Sequence, residues 1–315
     1  MKLTRPLISV IIPHLNQPTG LEACLGSLNR QTLERSSFEV IVVDNGSESP
    51  PETAIAPFPG TVLLQELRAG PGLARNRGIE AATGGVLAFI DADCRAHPDW
   101  LRSALRALQS SPARTILGGD VQIWRQNNKI VTPLEAYESV FAYRFKLYIE
   151  QHGFSGTGNL VVRHSDFEEV GPFRGIEVAE DIDWGQRARA LGYSFVYVPE
   201  MIVFHPARQS LRELFIKWDR HIQHAVNTSD KNALCQVRWV LRAVAILVSP
   251  VVDWTKVIAS NRVQGPSARI KAIFVLAIVR TYRAYKMIRL LWSTKGVVWN
   301  RDMGIGQTDV HSVDD

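Results

Sequence analysis

Cysteine is scarce in this 315-residue chain, which contains only Cys24, Cys94 and Cys235. The three are far apart, odd in number and in no spacing that is typical of metal ligands. Small secreted domains that depend on disulfides carry dense, even sets of cysteines. The scarcity therefore argues against a disulfide scaffold and favours a reduced, cytoplasmic compartment.

Long apolar runs are missing as well. The run from Leu7 to Ile12 is short and ends in Pro13-His14, which predicts a first strand and not a signal peptide. Two later runs, 243–252 and 272–279, fall short of the ~20 residues that a membrane-spanning helix needs. With 46% hydrophobic and 21% charged residues, we expect a globular chain with a sizeable core.

Two kinds of nucleotide-binding loop are absent. A sugar nucleotidyltransferase should carry a glycine-rich, arginine-containing loop after its first strand, where this chain has Pro13-His14-Leu15-Asn16. A dinucleotide-dependent dehydrogenase should carry a third glycine after Gly70 and Gly72, where Leu73-Ala74-Arg75 follows. Both enzyme classes are disfavoured, and the nucleotidyltransferase is kept as an alternative because it too could use paired aspartates for Mg²⁺.

Acidic residues are absent between Trp254 and Arg301, where ten Lys or Arg residues occur. Since the whole chain has a net charge of +5, the remainder is acidic. Apolar side chains alternate with these bases and predict basic amphipathic helices: Tyr282, Tyr285, Ile288, Leu291 and Trp292. Such helices suit an anionic membrane surface or a lipid-diphosphate acceptor. The alternatives are helices that pack on a catalytic domain, and a non-enzymatic lipid- or nucleic-acid-binding protein.

The chain does contain an apolar strand that ends in two carboxylates. Val86 to Ile90 is a run typical of a strand buried on both faces, and Asp91 and Asp93 follow it. Residues i and i+2 of a strand point to the same side, so both carboxylates can lie at the end of the sheet. Two oxygen ligands there could hold Mg²⁺ or Mn²⁺, and through it a diphosphate. The alternative is that they only cap turns before a helix at Pro98.

The residues before this strand predict an α/β fold. Ile8–Ile12 and Phe38–Val43 are β-branched runs, and the apolar spacing within 19–33 is helical. Strand, helix, strand implies a right-handed crossover and parallel pairing. Ligands of such sheets bind outside the carboxyl ends of the strands, where five polar residues converge: Asn16, Asp44, Arg75, Asp91 and Asp93.

The second half of the chain supplies three further features. Leu134–Glu150 is expected to be an aromatic-rich helix that packs in the core or, alternatively, forms an acceptor platform. The glycines of Ser155–Asn159 would let backbone approach a sugar, although an ordinary turn has the same composition. Glu180, Asp181 and Asp183 open a helix, where acidic residues are also common as caps. His205 follows a strand and either packs there or adds a metal ligand.

From about Ser9 to His205 the chain resembles glycosyltransferase family 2, nucleotide-sugar enzymes with the GT-A fold. The resemblance rests on six motifs in the expected order: Ser9-Val10-Ile11-Ile12-Pro13 with Asn16, Val42-Val43-Asp44-Asn45-Gly46-Ser47, Ala74-Arg75-Asn76-Arg77-Gly78, Asp91-Ala92-Asp93, Gly158-Asn159 and Glu180-Asp181. It implies a Rossmann-like, mostly parallel sheet flanked by helices in 1–229. The predicted basic helical extension, 230–315, lies beyond the region of resemblance.

The resemblance also implies roles for individual residues. Asp44 and Asp91 would hold the nucleoside, with Pro13 and Asn16 lining its pocket and Arg75 as a further contact. The metal, Mg²⁺ or Mn²⁺, would be bound by Asp93 with Asp91 and His205. Asp181 would be the catalytic base and Glu180 its neighbour near the acceptor. Leu15 departs from the family, where an aromatic residue often precedes the asparagine.

The implied activity is the transfer of a sugar from a nucleotide-diphosphate sugar to a glycan or polyprenyl-linked acceptor, in cell-surface polysaccharide or glycoconjugate synthesis. Processive relatives usually carry Gln-x-x-Arg-Trp, and the nearest stretch here, 216–220, does not match it. Transfer of a single sugar is therefore expected. One base and one attack from the opposite face predict inversion. We expect the protein in the cytoplasm at the inner face of the membrane, and no nucleic-acid partner.

Overall fold

A computed structural model describes residues 5–290 except 126, 128–129, 177 and 228–232. Its strands are β1 (Ile8–His14), β2 (Phe38–Asp44), β3 (Thr61–Gln65), β4 (Val86–Ile90), β5 (Arg95–Ala96), β6 (Thr115–Trp124), β7 (Asn159–Arg163) and β8 (Ser194–Pro206). Its helices are α1 (Pro18–Leu28), α2 (Glu52–Ile55), α3 (Pro71–Ala81), α4 (Trp100–Ser110), α5 (Pro133–Phe141), α6 (Phe145–Leu147), α7 (His164–Val170), α8 (Glu180–Ala190), α9 (Leu211–Asn227), α10 (Ala233–Val248), α11 (Pro250–Ala259) and α12 (Pro266–Leu290).

The strands form one eight-stranded sheet in the order β3-β2-β1-β4-β7-β6-β8-β5. The first four are parallel, as the crossover helices require, and His14 lies opposite Asp44 at the end of β1 and β2. β7 then pairs antiparallel with β4 and with β6, so the sheet is mixed. The predicted α/β fold is confirmed, and its parallel part carries the predicted strand-end residues.

The core occupies both faces of the sheet, as alternation along the central strands dictates. Ala88 and Ile90 of β4 pack with α1 and α4, whereas Leu87 and Phe89 pack with α7 and α8. All four side chains are fully buried. The strand that ends at Asp91 is therefore buried on both sides, as its uninterrupted apolar run predicts.

The prediction of one helix over Leu134–Glu150 is wrong. Helix α5 starts at a capping box made by Thr132 and Glu135 and ends at Phe141. Tyr143 then has a φ of 44°, a left-handed conformation that a helix cannot contain, and α6 and a π turn at 148–152 follow. Apolar spacing gives no sign of a single left-handed residue, which explains the error.

The described chain divides into two compact units. One contains residues 5–122 and 144–205, with the predicted site and the sheet apart from the last residues of β6 and β8; the other contains 123–143 and 206–290. In the second unit, Tyr137 of α5 packs with Leu214 of α9 and with Val275 and Val279 of α12. The predicted aromatic packing of α5 thus occurs, while the domain boundary near 229 stays a prediction.

The C-terminal helical extension is present as α10, α11 and α12. Within residues 5–290, no described helix is both long and apolar enough to cross a bilayer. Leu291 and Trp292, predicted members of the amphipathic pattern, lie outside the described residues, as do two of the ten bases, Lys295 and Arg301.

Candidate active site

The ends of β1 and β2 hold a buried carboxylate in a fixed orientation. Asp44 Oδ1 lies 3.2 Å from Nδ1 of His14 and accepts a hydrogen bond of 2.5 Å from the Ser47 hydroxyl. The amide of Gln17 donates to Nε2 of His14 over 3.2 Å, so the proton of a neutral ring is on Nδ1, facing Asp44. Burial lowers the pKa of His14 despite the nearby Asp44, which keeps this ring neutral.

The loop beside Asp44 is fixed by two asparagines. Asn16 has a φ of 51°. Its Oδ1 accepts a hydrogen bond from the backbone amide of Glu48, and its own backbone amide donates to the hydroxyl of Ser47, both over 2.9 Å. Asn45 donates to the carbonyls of Glu66 and Arg68 and accepts from Gly70. Pro13 occupies the penultimate position of β1, and it is partly exposed. These contacts place Pro13, Asn16 and Asp44 along one rim of the sheet.

Arg75 connects two of the predicted acidic residues. This side chain, 3% exposed, lies in α3, donates to Asp91 Oδ1 over 2.6 Å and forms a second ion pair with Glu180. Burial alone would lower the pKa of Arg75, but the carboxylates of Glu180 and Asp91 raise it. A permanently charged guanidinium therefore fixes the end of β4 to the start of α8.

Glycines make this close arrangement possible. A Cβ at Gly72 would lie 2.6 Å from Oε2 of Glu180, and one at Gly158 would lie 2.7 Å from Oδ2 of Asp91. Any larger residue at either position would displace a carboxylate that Arg75 holds. The glycine of the predicted sugar-approach loop therefore makes room for Asp91.

Asn159, the other half of that motif, has a structural role. Its Nδ2 donates to the carbonyls of Asp120 and Met201 over 2.9 and 2.7 Å, and its Oδ1 accepts from the indole of Trp100 over 2.8 Å. This side chain is fully buried. These three contacts join β7 to β6, β8 and α4 behind the site. Both polar atoms of the Asn159 side chain are therefore engaged by the protein itself.

Asp93 lies beside His205, as a shared metal site requires. Oδ2 of Asp93 is 3.3 Å from Nε2 of His205, and both side chains are partly exposed. The thiol of Cys94 donates to Oδ1 of Asp93 over 3.6 Å. Burial, and then the charge of Asp93, raise the pKa of Cys94, so the thiol stays protonated and orients the carboxylate. Sequence reasoning missed this role for Cys94.

The three acids at the start of α8 have different surroundings. Glu180 is held by Arg75, and Asp183 by Arg174 and Arg187 over 2.9 and 3.0 Å. Asp181 accepts a hydrogen bond of 2.9 Å from the amide of Ile182. Burial is the main cause that raises the pKa of Asp181, with a further contribution from Asp91. Asp181 is thus the one of these three that no arginine pairs among the described residues.

The structure brings six of the predicted residues into one region of the first unit. Ion pairs link Arg75 with Asp91 and with Glu180, and Asp181 is adjacent in sequence to Glu180. Asp93 follows Asp91 by two residues, and its side chain contacts His205. Pro13, Asn16 and Asp44 lie at the ends of the neighbouring strands. Sequence reasoning missed His14 and Ser47, although the register of two parallel strands that end together could have indicated His14.

Comparison with known proteins gives a consistent result. The family model described as Glycosyl transferase family 2 matches residues 9–175. Glycosyltransferase AglE of Haloferax volcanii is 35% identical over 214 residues, which are 66% of this chain and 69% of that protein. The amylovoran biosynthesis glycosyltransferase AmsB of Erwinia amylovora is 28% identical over 207 residues, covering 61% and 67% of the two chains.

Solved structures show the same fold at lower identity. The mannosyltransferase PcManGT of Pyrobaculum calidifontis, in complex with GDP-Man and Mn²⁺, has a TM-score of 0.57 and 19% identity over 92% of this chain and 88% of that one. TarS 1–349 of S. aureus, in complex with UDP-GlcNAc, has a TM-score of 0.51 and 16% identity over 90% and 91%. These distant likenesses concern the fold alone, and they confirm the GT-A architecture.

Proposed function

Because the chain belongs to glycosyltransferase family 2, we propose that it transfers one sugar, with inversion, from a nucleotide-diphosphate sugar to a hydroxyl of a glycan or polyprenyl-linked acceptor. The observation that carries this proposal is the buried Arg75, which holds Asp91 at the end of β4 and Glu180 at the start of α8. Asp181 follows directly, with a carboxylate that accepts the amide of Ile182. The first unit therefore contains both Asp91, which we assign to the donor, and Asp181, which we assign as the base.

The nucleoside part of the donor is assigned to the ends of β1 and β2. Asp44 is an acceptor held in place by His14 and Ser47, which suits a ribose hydroxyl or a base N–H. Pro13 and Asn16 line the same rim, and Asp91 lies at the end of β4, the neighbour of β1. Since Asp44 is already oriented, binding the nucleoside requires little rearrangement of this carboxylate.

Asp93 and His205 fit a divalent cation, with Asp91 beside them. Adjacent ligands of an octahedral ion lie ~3 Å apart, which agrees with the 3.3 Å between Oδ2 of Asp93 and Nε2 of His205. Oxygen and imidazole donors together suit Mn²⁺, and Mg²⁺ less well. A bound cation stabilises the charge that develops on the leaving diphosphate. Cys94 holds Asp93 in the orientation that this role needs.

The acceptor hydroxyl loses its proton to Asp181 as it attacks the anomeric carbon. A carboxylate whose pKa is raised by burial is a better base than an exposed one. Burial raises the pKa of Glu180 against the opposing charge of Arg75, and the contact of Glu180 with Arg75 positions Asp181 by fixing the start of α8. A single base and a single attack give inversion, and no covalent intermediate is required.

A screen of donors tests this proposal. We expect one or a few among UDP-, GDP- and dTDP-sugars to raise the melting temperature in the presence of Mn²⁺ and to be slowly hydrolysed. The physical reason is that a ligand that binds only the folded state stabilises it by mass action. Neither stabilisation nor hydrolysis with any of the three nucleotide classes would contradict the proposal.

The metal assignment predicts that nucleotide and cation bind together. We expect Mn²⁺ to tighten binding of the nucleoside diphosphate by about 10-fold or more in calorimetry, because phosphate oxygens must complete its coordination shell. In Asp93→Asn this gain should be lost, while metal-free nucleotide affinity is unchanged. Glu52→Gln, an exposed acid on α2, is the control that should keep the gain. Equal gains in the wild type and Asp93→Asn would refute the assignment.

We further propose that α10 and α11 hold the enzyme on the inner face of an anionic membrane. Val237, Leu241, Val244 and Val248 lie on one side of α10 and are all exposed, Leu241 by 63%. Arg238 and Arg242 are adjacent and also exposed. The one acid between 233 and 290, Asp253, is buried and paired with Lys256 and Arg280. An apolar face with an entirely basic margin complements anionic lipid headgroups.

Liposome flotation tests the membrane proposal. We expect recovery on vesicles with phosphatidylserine at low salt and less at high salt, since exposed charges are screened beyond ~8 Å at physiological ionic strength. Arg238→Glu with Arg242→Glu should reduce recovery, because two bases at ~1 kcal/mol each become repulsive. The matched control is Arg106→Glu, an exposed base of α4 in the other unit. Equal recovery on neutral vesicles would count against the electrostatic part, and no recovery on either would end the proposal.

A further inference from the structure

In the first unit, a stretch of chain without helix or strand leads into the helix that carries Asp181. It begins at Gly171, directly after α7, and α8 begins at Glu180. We call its residues 171–176 the α7–α8 segment; they and α8 belong to the same unit as the sheet-end residues. Because Asp181 is the second residue of α8, the path of this segment helps to determine where that carboxylate lies.

Asn76 of α3 holds this segment through both polar atoms of its side chain. Its Nδ2 donates to the carbonyl of Phe173 over 2.8 Å, and its Oδ1 accepts from the backbone amide of Phe173 over 3.0 Å. Such a pair of bonds needs a side chain with one donor and one acceptor. The ring of Phe173 is buried against Phe89 of β4, with ring centroids 5.6 Å apart. The point that Asn76 holds is therefore also in contact with the strand that ends at Asp91.

Arg75, the residue before Asn76, holds the far end of the same stretch. Its guanidinium pairs with Glu180, and the backbone amide of Gly72 donates to Glu180 as well. Two adjacent side chains of α3 thus hold the chain at positions 173 and 180. Since Arg75 also pairs with Asp91, α3 connects the start of α8 to the end of β4.

Two glycines allow the segment to lie directly on the start of α3. A Cβ at Gly72 would lie 2.9 Å from the carbonyl oxygen of Arg174, and a Cβ at Gly70 would lie 2.8 Å from Cγ2 of Ile176. Gly70 also has a φ of 131°, which residues with a side chain rarely adopt. The segment therefore approaches α3 at 174 and 176 as well as at 173.

Other hydrogen bonds of the segment are made with α8 itself. Arg187 donates to the carbonyl of Pro172 over 2.7 Å, and the indole of Trp184 donates to the carbonyl of Gly171 over 2.9 Å. These bonds keep the segment and α8 together. They do not fix either of them to α3, so the contacts with α3 have a separate effect.

We propose that Asn76 is a positioning residue for the transfer reaction. By tying the α7–α8 segment to α3, it keeps Asp181 in place relative to Asp91, which Arg75 of the same helix binds. The proposal rests on the proposed function, because it takes Asp181 as the base and Asp91 as a donor contact. Asn76 acts through the backbone of Phe173, so its loss should lower the rate and leave donor binding intact.

Hydrolysis kinetics of the full chain test this role. The probe is the UDP-, GDP- or dTDP-sugar that the donor screen shows to be hydrolysed fastest, with Mn²⁺ present. In Asn76→Ala we expect kcat to fall about 10- to 100-fold, because a base displaced by ~1 Å can cost about 100-fold in rate. The KM for the sugar nucleotide should stay within about twofold, since KM reports binding when chemistry is slow.

Two further variants keep this experiment decisive. Asn29→Ala, which changes an exposed asparagine directly after α1, is the matched control and should keep both kcat and KM. Asn76→Asp keeps the size and the acceptor atom of the side chain, but an ionised carboxylate cannot donate to the carbonyl of Phe173. It should therefore show the same fall in kcat at constant KM, and it replaces Asn76→Ala if that variant folds poorly.

Limited digestion with trypsin measures the hold on the segment independently of activity. Trypsin cleaves after arginine, and the side chain of Arg174 is 61% exposed. Cleavage after Arg174 should be about 10-fold faster in Asn76→Ala, because proteolysis follows the population of locally opened chain and two hydrogen bonds are lost. Cleavage after Arg30, in the exposed turn that follows α1, is the internal reference and should not change.

The other outcomes overturn the proposal and identify the reason. Unchanged cleavage after Arg174 would show that Asn76 does not hold the segment. Faster cleavage with unchanged kcat would show that the segment does not position Asp181, and a raised KM with unchanged kcat would assign Asn76 to donor binding. If the wild type hydrolyses none of the sugar nucleotides, the proposed function is rejected together with the positioning role. The cleavage rates then still decide whether Asn76 holds the segment.

Discussion

Asp181→Asn should reduce the rate of sugar transfer by about 100-fold or more while donor affinity stays within about twofold, as for loss of a general base. The amide keeps the size of the carboxylate and can still accept the hydrogen bond from Ile182. The substitution therefore removes proton acceptance and little else. Turnover, donor affinity and melting temperature, measured on one preparation, test this expectation.

Stability should not fall with activity in Asp181→Asn. Burial raises the pKa of Asp181 above its unfolded value, so at neutral pH the ionised group costs stability in the folded state. Stability from this group is present below the unfolded pKa and is lost as the pH rises through the folded one. Replacing the charged carboxylate with an amide removes that cost and so raises the free energy of unfolding. The charge at the start of α8 also interacts favourably with the helix dipole, and losing this interaction cancels ~0.3–1 kcal/mol of the increase. A normal or slightly raised melting temperature is expected.

Asp183→Asn is the matched control for this experiment. Asp183 lies two residues further along α8, but both of its oxygens pair with arginines, Arg174 and Arg187. We expect it to keep turnover within a few-fold and to lose a little stability, since partly exposed ion pairs contribute ~1 kcal/mol or less. Near-normal turnover in Asp181→Asn would exclude Asp181 as the base and leave its role as that of a helix-terminus residue.

The strand-end residues could be predicted from the sequence because the pattern is local. Apolar runs ending in Asp44 and Asp91 predict strands, and strands of a parallel sheet end on the same edge. The helical start at Glu180 follows from its acidic cluster. These features depend on residues adjacent in the chain, and the structure has them within one or two positions of the predicted places.

The partners of those residues could not be predicted in the same way. Arg75 meets Glu180 across 105 residues, and the pairing depends on where two loops place α3 and α8. The structural role of Asn159 behind the site depends on the antiparallel pairing of β7 with β4, and apolar periodicity does not specify strand direction. Likewise, the left-handed Tyr143 that separates α5 from α6 leaves no trace in composition. Long-range register and single backbone dihedrals are what the sequence pattern lacks.

Arg75→Met should abolish measurable transfer and also destabilise the protein. The guanidinium is 3% exposed and pairs with two carboxylates, so its removal leaves Asp91 and Glu180 near one another without a cation. Removing one partner of a buried ion pair costs about 3–5 kcal/mol, and the partial exposure of Asp91 places this case toward the lower value. Displacement of Glu180 also moves Asp181, and a shift of ~1 Å can cost about 100-fold in rate.

Arg77→Met separates this effect from a general loss of charge on α3. Arg77 lies two residues away, is exposed and pairs only with Glu80 at i+3 among the described residues. Such surface pairs contribute ~0.5 kcal/mol, so we expect normal turnover and an almost unchanged denaturant midpoint. A loss in Arg77→Met as large as that in Arg75→Met would show that the bridge is not the cause.

A double variant distinguishes the structural role of the bridge from its catalytic role. Adding Glu180→Gln to Arg75→Met removes one of the two stranded carboxylates, so part of the lost free energy of unfolding should return. Transfer should stay abolished, because neither residue then fixes Asp181 or the end of β4. Recovery of stability together with activity would mean that Arg75 acts only through folding. Recovery of stability alone would support Arg75 as the residue that positions Asp91 and Asp181 for the reaction.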